Sequence, residues 1–196
     1  YRVNEDNLLY LTVAKGFRIG GANPKVATTC IADLTNYGLT DVPDQYKSDS
    51  LWSYEIGSKN QFNDRRFLLN ASAYIIKWKN IQQNVALNNC GFQFTANLGE
   101  LRSTGFDLQG EFRFSDAFSV GGTFAYTDAK YTTTAFATPA AQAGGALSIV
   151  SKDDRLGGSP WTLALFTQVN FPVAAHEGYA RVDYQYGAAL NDLTPG

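Results

Sequence analysis

Side chains able to carry acid–base, nucleophilic or metal chemistry are few and scattered in this 196-residue chain. The single histidine, His176, lies in PVAAHEG, which reads as a short solvated turn. With no second histidine or His/Cys cluster beside it, it is not expected to ligate a metal, and no Ser-His-Asp set can be built around it. Asp153 and Asp154, in SKDDRLGG, lack the spacing of a calcium loop and read as ordinary loop polars. GFRIGG, 16–21, follows a strand but opens no helix, so its glycines do not form a phosphate cradle. Glu55, Asp107, Glu111 and Asp183 are carboxylates that paired acid–base work would need, but each falls on the polar side of an alternating strand, where solvation accounts for it. Cys30 and Cys90 stand 60 positions apart, without CxxC spacing, and suit one disulfide in an oxidising compartment. No catalytic residue, metal or cofactor is expected, and the chain is not read as an enzyme.

The elements holding these groups are strands. The period of two predicts them at about 7–17, 49–62, 66–82, 92–114, 118–131, 160–171 and 179–188. The fourth contains RSTGFDLQGEFRF, in which Phe106, Leu108, Phe112 and Phe114 oppose Asp107, Gln109, Glu111 and Arg113. The second and seventh repeat the division: Trp52, Tyr54 and Ile56 oppose Glu55 and Lys59, and Val182, Tyr184 and Tyr186 oppose Arg181, Asp183 and Gln185. In the third, alternation blurs at Ile76 and Trp78, where the strand is expected to leave the apolar zone. So many charges on polar faces favour a wide aqueous lumen over a packed interior.

The connections alternate between long and short. Segments 18–48, QNVALNNCG and 132–157 fall at one end of a meander, and the turns at 63–65, 115–117 and 172–178 at the other. Sorting of this kind marks outer-membrane barrels, with short periplasmic turns and long extracellular loops. The patterned runs also exceed the five or six residues usual for soluble strands. Phe67, Phe112, Phe114, Phe118, Phe171 and Tyr179 flank the short turns, and Trp52, Trp78, Tyr126 and Trp161 lie toward the long loops, as two interfacial girdles would.

Composition agrees. Aromatic residues make up 14 %, charged residues 17 %, and 18 glycines supply turns. The net charge of −2 offers no basic surface for nucleic acid. Mean hydropathy is −0.22, and no run approaches the roughly 18 apolar residues of a membrane helix; a barrel remains open because alternate residues face away from lipid. YRVNEDNLLY lacks the features of a signal peptide and the chain has no methionine, so it is expected to be mature, processed or cut from something longer.

Four segments, in order, resemble TonB-dependent outer-membrane receptors: YLTVAKGFRIGGANP, LWSYEIGSKNQFNDRRFLLNASAYIIKWKNIQ, ANLGELRSTGFDLQGEFRFSDAFSVGGTFAYTDAKY and RLGGSPWTLAL. The fold class expected is all-β: an antiparallel up-and-down transmembrane β-barrel segment, about seven strands of a larger barrel that has 22 in this family. Residues 1–196 are then a partial barrel domain from the later half, with the plug domain, TonB box and terminal strands lying outside it.

The resemblance implies an outer-membrane transporter that captures a scarce nutrient, such as a ferric siderophore, at extracellular loops and imports it through a plugged barrel. Its partners would be outer-membrane lipid, TonB (through the plug and TonB box) and the small-molecule substrate. Location alone makes Arg18, Tyr37 and Tyr46 candidate ligand contacts. Cys30 and Cys90, on neighbouring long loops, are expected to form a disulfide worth about 4 kcal/mol in the chain-entropy model. Two other readings stay open here: a small autonomous outer-membrane barrel with an adhesin or structural role, and a soluble β-sandwich that binds or acts on carbohydrate.

Overall fold

The computed structural model describes residues 1–189; residues 190–196, the end of the expected barrel domain, lie outside the described residues. The elements in chain order are β1 (Asn7–Arg18), β2 (Gly21–Ala22), a 3-10 turn (Thr28–Cys30), α1 (Ile31–Asn36), β3 (Gln45–Tyr46), β4 (Asp49–Phe62), β5 (Phe67–Lys79), β6 (Gln82–Leu87), β7 (Phe92–Asn97), β8 (Glu100–Arg113), β9 (Phe118–Tyr131), α2 (Pro139–Ala143), β10 (Trp161–Val173) and β11 (His176–Gly187). Seven of them form one antiparallel sheet in the order β1-β4-β5-β8-β9-β10-β11, the meander that the alternation predicts. These seven are 12 to 14 residues long. At about 3.3 Å per residue and a tilt near 45°, that length crosses a hydrocarbon layer of about 30 Å.

Register carries the sequence alternation across the whole sheet. Ile56, Ala73, Phe106, Tyr126 and Trp161 stand in one cross-strand row on one face. Glu55, Tyr74, Gly105 and Thr127 form the adjoining row on the other. No other described element covers the apolar face, and Leu11, Ile56, Leu108, Leu165 and Val182 are all exposed on it. A soluble sandwich would bury that face against a second sheet; lipid is the environment that suits it uncovered. The polar face is tied internally. The Tyr10 hydroxyl donates to Glu55 Oε1 at 2.6 Å, Tyr74 shares a 2.7 Å bond with Thr127, and Asn70 donates to Gln109 at 3.2 Å. At Gly105 a Cβ would collide with the Tyr126 carbonyl oxygen and come to 2.5 Å from the Tyr74 hydroxyl, so glycine makes room for both.

The buried core lies elsewhere, at the long-loop end. Cys30, Leu34, Ile81, Leu87, Phe94 and Leu98 are among its most enclosed side chains, joined by Leu101 and Tyr131 from the sheet. The connections there fold into a packed lobe instead of hanging free.

Three expectations change. The expected fourth strand, 92–114, is two elements: β7 pairs with β6 in a separate hairpin, and only β8 joins the large sheet. The break is at Gly99, whose φ of +67° sits in the left-handed region and where a Cβ would strike Thr133 Oγ1 at 2.4 Å. His176 is not in a turn; it opens β11 opposite Val173, and Ala174-Ala175 makes the bend. Trp78 and Tyr179 do not join the girdles. They stand on the polar face, opposite Leu101 and Asn170. Trp78 breaks the alternation because it packs against the lobe core, and Ile76 because it lines the recess beneath the lobe with Leu101 and Leu156.

Candidate functional site

Asp49 shows how the lobe is attached. It opens β4 directly opposite Arg18, the last residue of β1, and is 3 % exposed. Its carboxylate accepts from the Arg18 backbone N–H at 3.1 Å, from Arg18 Nε at 2.9 Å, from Arg18 Nη2, and from the Gln82 N–H at 3.1 Å. Arg18 in turn donates to the Gln82 carbonyl at 2.9 Å and lies 4.9 Å over the Trp78 ring. One buried carboxylate thus joins β1, β4 and the start of β6. Replacing Asp49 with alanine strands the Gln82 N–H and is expected to cost about 1–3 kcal/mol, the ionic part being small because the Arg18 side chain is half exposed. Faster protease cleavage within 80–99 of the folded protein is the readout, and an unchanged rate would contradict it.

Amide side chains fasten the first long loop to the hairpin. Asn23 donates to the Pro43 and Thr95 carbonyls and accepts from the Thr95 N–H. Asn97 accepts from the Lys47 N–H at 2.7 Å and donates to the Lys47 and Asn80 carbonyls. Within that loop, Lys25 bridges Asp41 and Asp44 at 3.0 and 2.8 Å. Its hydrogen bonds to Asp44 and Asp41 push the ammonium pKa up to about 12, and the bond from Lys25 holds Asp41 below its ordinary value. The stability tied to Asp41 is therefore present above the ordinary carboxylate range and lost as pH falls through its lowered value.

The sulfurs of Cys30 and Cys90 are bonded, with Cα atoms 5.2 Å apart, which pins the start of α1 to the tip of the β6–β7 hairpin. Beside them Asp33, 4 % exposed, accepts from the Asn89 N–H at 3.0 Å, the Cys90 N–H at 3.2 Å and the Asn89 side-chain amide. The third long loop closes on the first. Leu147 N–H donates to the Asn36 carbonyl at 3.2 Å. Gly38, at φ +68°, lets the backbone approach α2 so closely that a Cβ would meet Ala146 and Ala141 at 2.9–3.0 Å.

Two recesses border the lobe. A mostly apolar one of about 260 Å³ lies between the sheet and the lobe, lined by Leu51, Ile76, Trp78, Leu101, Leu156 and Pro160. A second, of about 430 Å³, opens among the loops and is lined by Tyr46, Lys47, Asn80, Asn97, Phe136 and Gln142. The candidate contacts separate accordingly. Tyr46 borders the open groove, Arg18 is held by Asp49 and Trp78, and Tyr37 packs against the lobe core. Sequence reasoning passed over Asp33, Asp49 and Asn97; Asp33 looks like a solvated loop polar, and Asp49 and Asn97 like ordinary polar residues of expected strands, until their distant partners are known.

The groups capable of chemistry are not gathered. His176 is remote from the lobe, at the short-turn end, and no group of three or more metal-binding side chains occurs among the described residues. Asp154 accepts from the Ser151 N–H at 2.6 Å within its own loop. On the polar face, Glu111 pairs with Arg113 at 3.0 Å and Asp183 with Arg181 at 2.7 Å.

Comparison with known proteins follows this geometry. The sequence model of a family described as TonB dependent receptor-like, beta-barrel matches residues 1–195. No curated protein matches the chain. Among solved structures, the chain is similar to the ferric yersiniabactin uptake receptor FyuA from Yersinia pestis, with TM-score 0.63, 16 % identity, 94 % of this chain and 24 % of that one covered. It is also similar to the copper transporter OprC, with TM-score 0.63, 12 % identity and coverage of 100 % and 26 %. The FrpB iron transporter from Neisseria meningitidis gives TM-score 0.55, 16 % identity and coverage of 93 % and 25 %. At these identities the likeness is one of fold, and the chain spans about a quarter of each of those proteins.

Proposed function

The chain belongs to the TonB-dependent receptor β-barrel family, a family of receptors and transporters and not of enzymes, and from that premise we propose that it is the loop-bearing wall of an outer-membrane active transporter. The lobe faces the cell exterior and the short turns face the periplasm. A scarce nutrient is captured at the lobe and passes inward along the polar face once TonB, acting on a plug domain outside this chain, opens the lumen. A ferric siderophore is the substrate class favoured, because a ferric yersiniabactin uptake receptor and an iron transporter are among the proteins of like fold.

The observation that carries this reading is the placing of the core. Among the described residues, a meander with one uncovered apolar face and one polar face bears its buried core at the long-loop end, where the loops enclose recesses between themselves and the sheet. A sheet made only to anchor would need no such lobe. Tyr46 is the proposed direct contact. Arg18 and Tyr37 are proposed to act by holding the walls of the recess.

Uptake by cells expressing the full-length protein tests this, using a panel of ferric siderophores, cobalamin, nickel chelates and oligosaccharides. Saturable uptake of a ferric siderophore that stops when the proton gradient is collapsed is the expected result. Uptake of no panel member would sink the transporter reading in favour of an adhesin or anchor. Gradient-independent uptake would sink the TonB coupling.

A further inference from the structure

One row on the apolar face is not apolar. Reading across the sheet, Lys15 stands opposite Trp52, Trp52 opposite Lys77, Lys77 opposite Arg102, and Arg102 opposite Lys130. An isolated bridge carries the row on from Lys130 to Arg155. Three cations, Lys77, Arg102 and Lys130, therefore occupy successive positions on strands about 4.8 Å apart. Like charges directly opposite one another destabilise a sheet. Compensation is partial: Asp128 lies 3.0 Å from Lys130 and 3.7 Å from Arg155, and Glu100 meets Lys79 at 3.8 Å one row further on. Lys15, Lys77 and Arg102 have no carboxylate within 4 Å among the described residues. Lys15 instead sits 5.5 Å over the Trp52 ring.

Position along the strands identifies what these cations meet. Immediately toward the short-turn end come Tyr54, then Tyr126 and Trp161, exposed on the same face. Amphipathic rings of this kind mark the lipid–water boundary, and long basic side chains just beyond it reach the headgroup layer. Lys77 and Arg102 are exposed on the apolar face, on the opposite side of the sheet from the polar face, whereas Arg155 also borders the recess beneath the lobe. At a strand tilt near 45° Lys77, Arg102 and Lys130 differ in height by only about 7 Å, so these three can share one headgroup layer, and the Arg102 guanidinium can take two phosphate oxygens at once. We propose that Lys77, Arg102 and Lys130, flanked by Lys15 and Arg155, form a binding site for the phosphate of a lipid headgroup in the leaflet at the lobe end. The anion offsets the repulsion that the row builds into the folded sheet. This rests on the reading that the apolar face meets lipid.

The test uses the full-length protein in phosphatidylcholine nanodiscs, with fluorescent phosphatidic acid as the phosphomonoester probe and fluorescent diacylglycerol as its uncharged counterpart. Each of Lys77→Gln, Arg102→Gln and Lys130→Gln is expected to weaken phosphatidic acid binding about fivefold, and the triple variant about a hundredfold. Diacylglycerol is expected not to distinguish these proteins, and Lys152→Gln, a loop cation outside the row, to bind as wild type. Binding to wild type should also fall as salt rises. Triple-variant binding within twofold of wild type overturns the site, and so does salt-independent binding to wild type, which needs no variant to fold. Inorganic phosphate binding in lipid-free detergent as tightly as the lipid would overturn the assignment to a headgroup. Failure of wild type to insert into nanodiscs either with or without phosphatidic acid would overturn the membrane reading itself.

Discussion

Replacing Leu108 with arginine in the full-length protein is expected to lower the stability of the membrane-inserted barrel by about 2–4 kcal/mol, the cost of a cation near the bilayer midplane. The neighbouring Gln109→Arg is expected to change it little. The two residues are adjacent in β8, have similar strand context and receive the same new side chain. Only the face differs. Leu108 stands in a row with Ala71 and Phe124, 41 % exposed on the uncovered apolar face; Gln109 stands with Asn70 and Thr123 on the polar face. An arginine at 108 has no aqueous route except along its own length, whereas at 109 it joins a surface already carrying Lys59, Asp107 and Glu111. Folding into lipid vesicles under urea titration, followed by heat-modifiable migration, measures both. Equal damage from the two variants would mean that the faces or their surroundings are misassigned.

The same comparison shows why the sheet was legible in the sequence and the lobe was not. A strand that borders two environments declares itself every second residue, so the limits of β1, β4, β9 and β11 fell within a few positions of those expected. The lobe has no such local signature. Asp49 meets Arg18 across 31 positions, Asn97 meets Lys47 across 50, and Asp33 meets Asn89 across 56. Each partner taken alone is an ordinary polar residue of a loop or a strand end. The error at β7 and β8 has the same origin. Phe92, Phe94 and Ala96 keep the period of a strand running into β8, and only the left-handed φ of Gly99 interrupts it. The cationic row was hidden for a related reason: Lys77, Arg102 and Lys130 become neighbours through register alone.

Replacing Cys30 and Cys90 with serine is expected to release the lobe while leaving the sheet in place. The disulfide spans 60 positions, a closure worth about 4 kcal/mol in the chain-entropy model. The segment it encloses includes β4 and β5, whose ladders with β1 and β8 hold that stretch independently. Local opening should therefore be confined to α1 and the β6–β7 hairpin, the parts that lie outside the ladders of the large sheet. Asp33 is the second fastening at the same junction, and its three accepted hydrogen bonds should keep part of the hairpin docked after the cysteines are gone. Asp33→Ala alone leaves the Asn89 and Cys90 N–H groups unpaired, at about 1–3 kcal/mol. Because the two fastenings share one turn, their effects should not add: the triple variant should open the hairpin by more than the sum of the separate losses, by a coupling on the order of 0.5–3 kcal/mol. Amide hydrogen exchange of the full-length protein reads this directly, with faster exchange expected in 82–97 and unchanged exchange in β4 and β5. Wild-type protection of the hairpin in the serine variant would show that the disulfide restrains nothing there. If the lobe is the capture surface, the same variants should weaken substrate binding while inserting normally into the membrane.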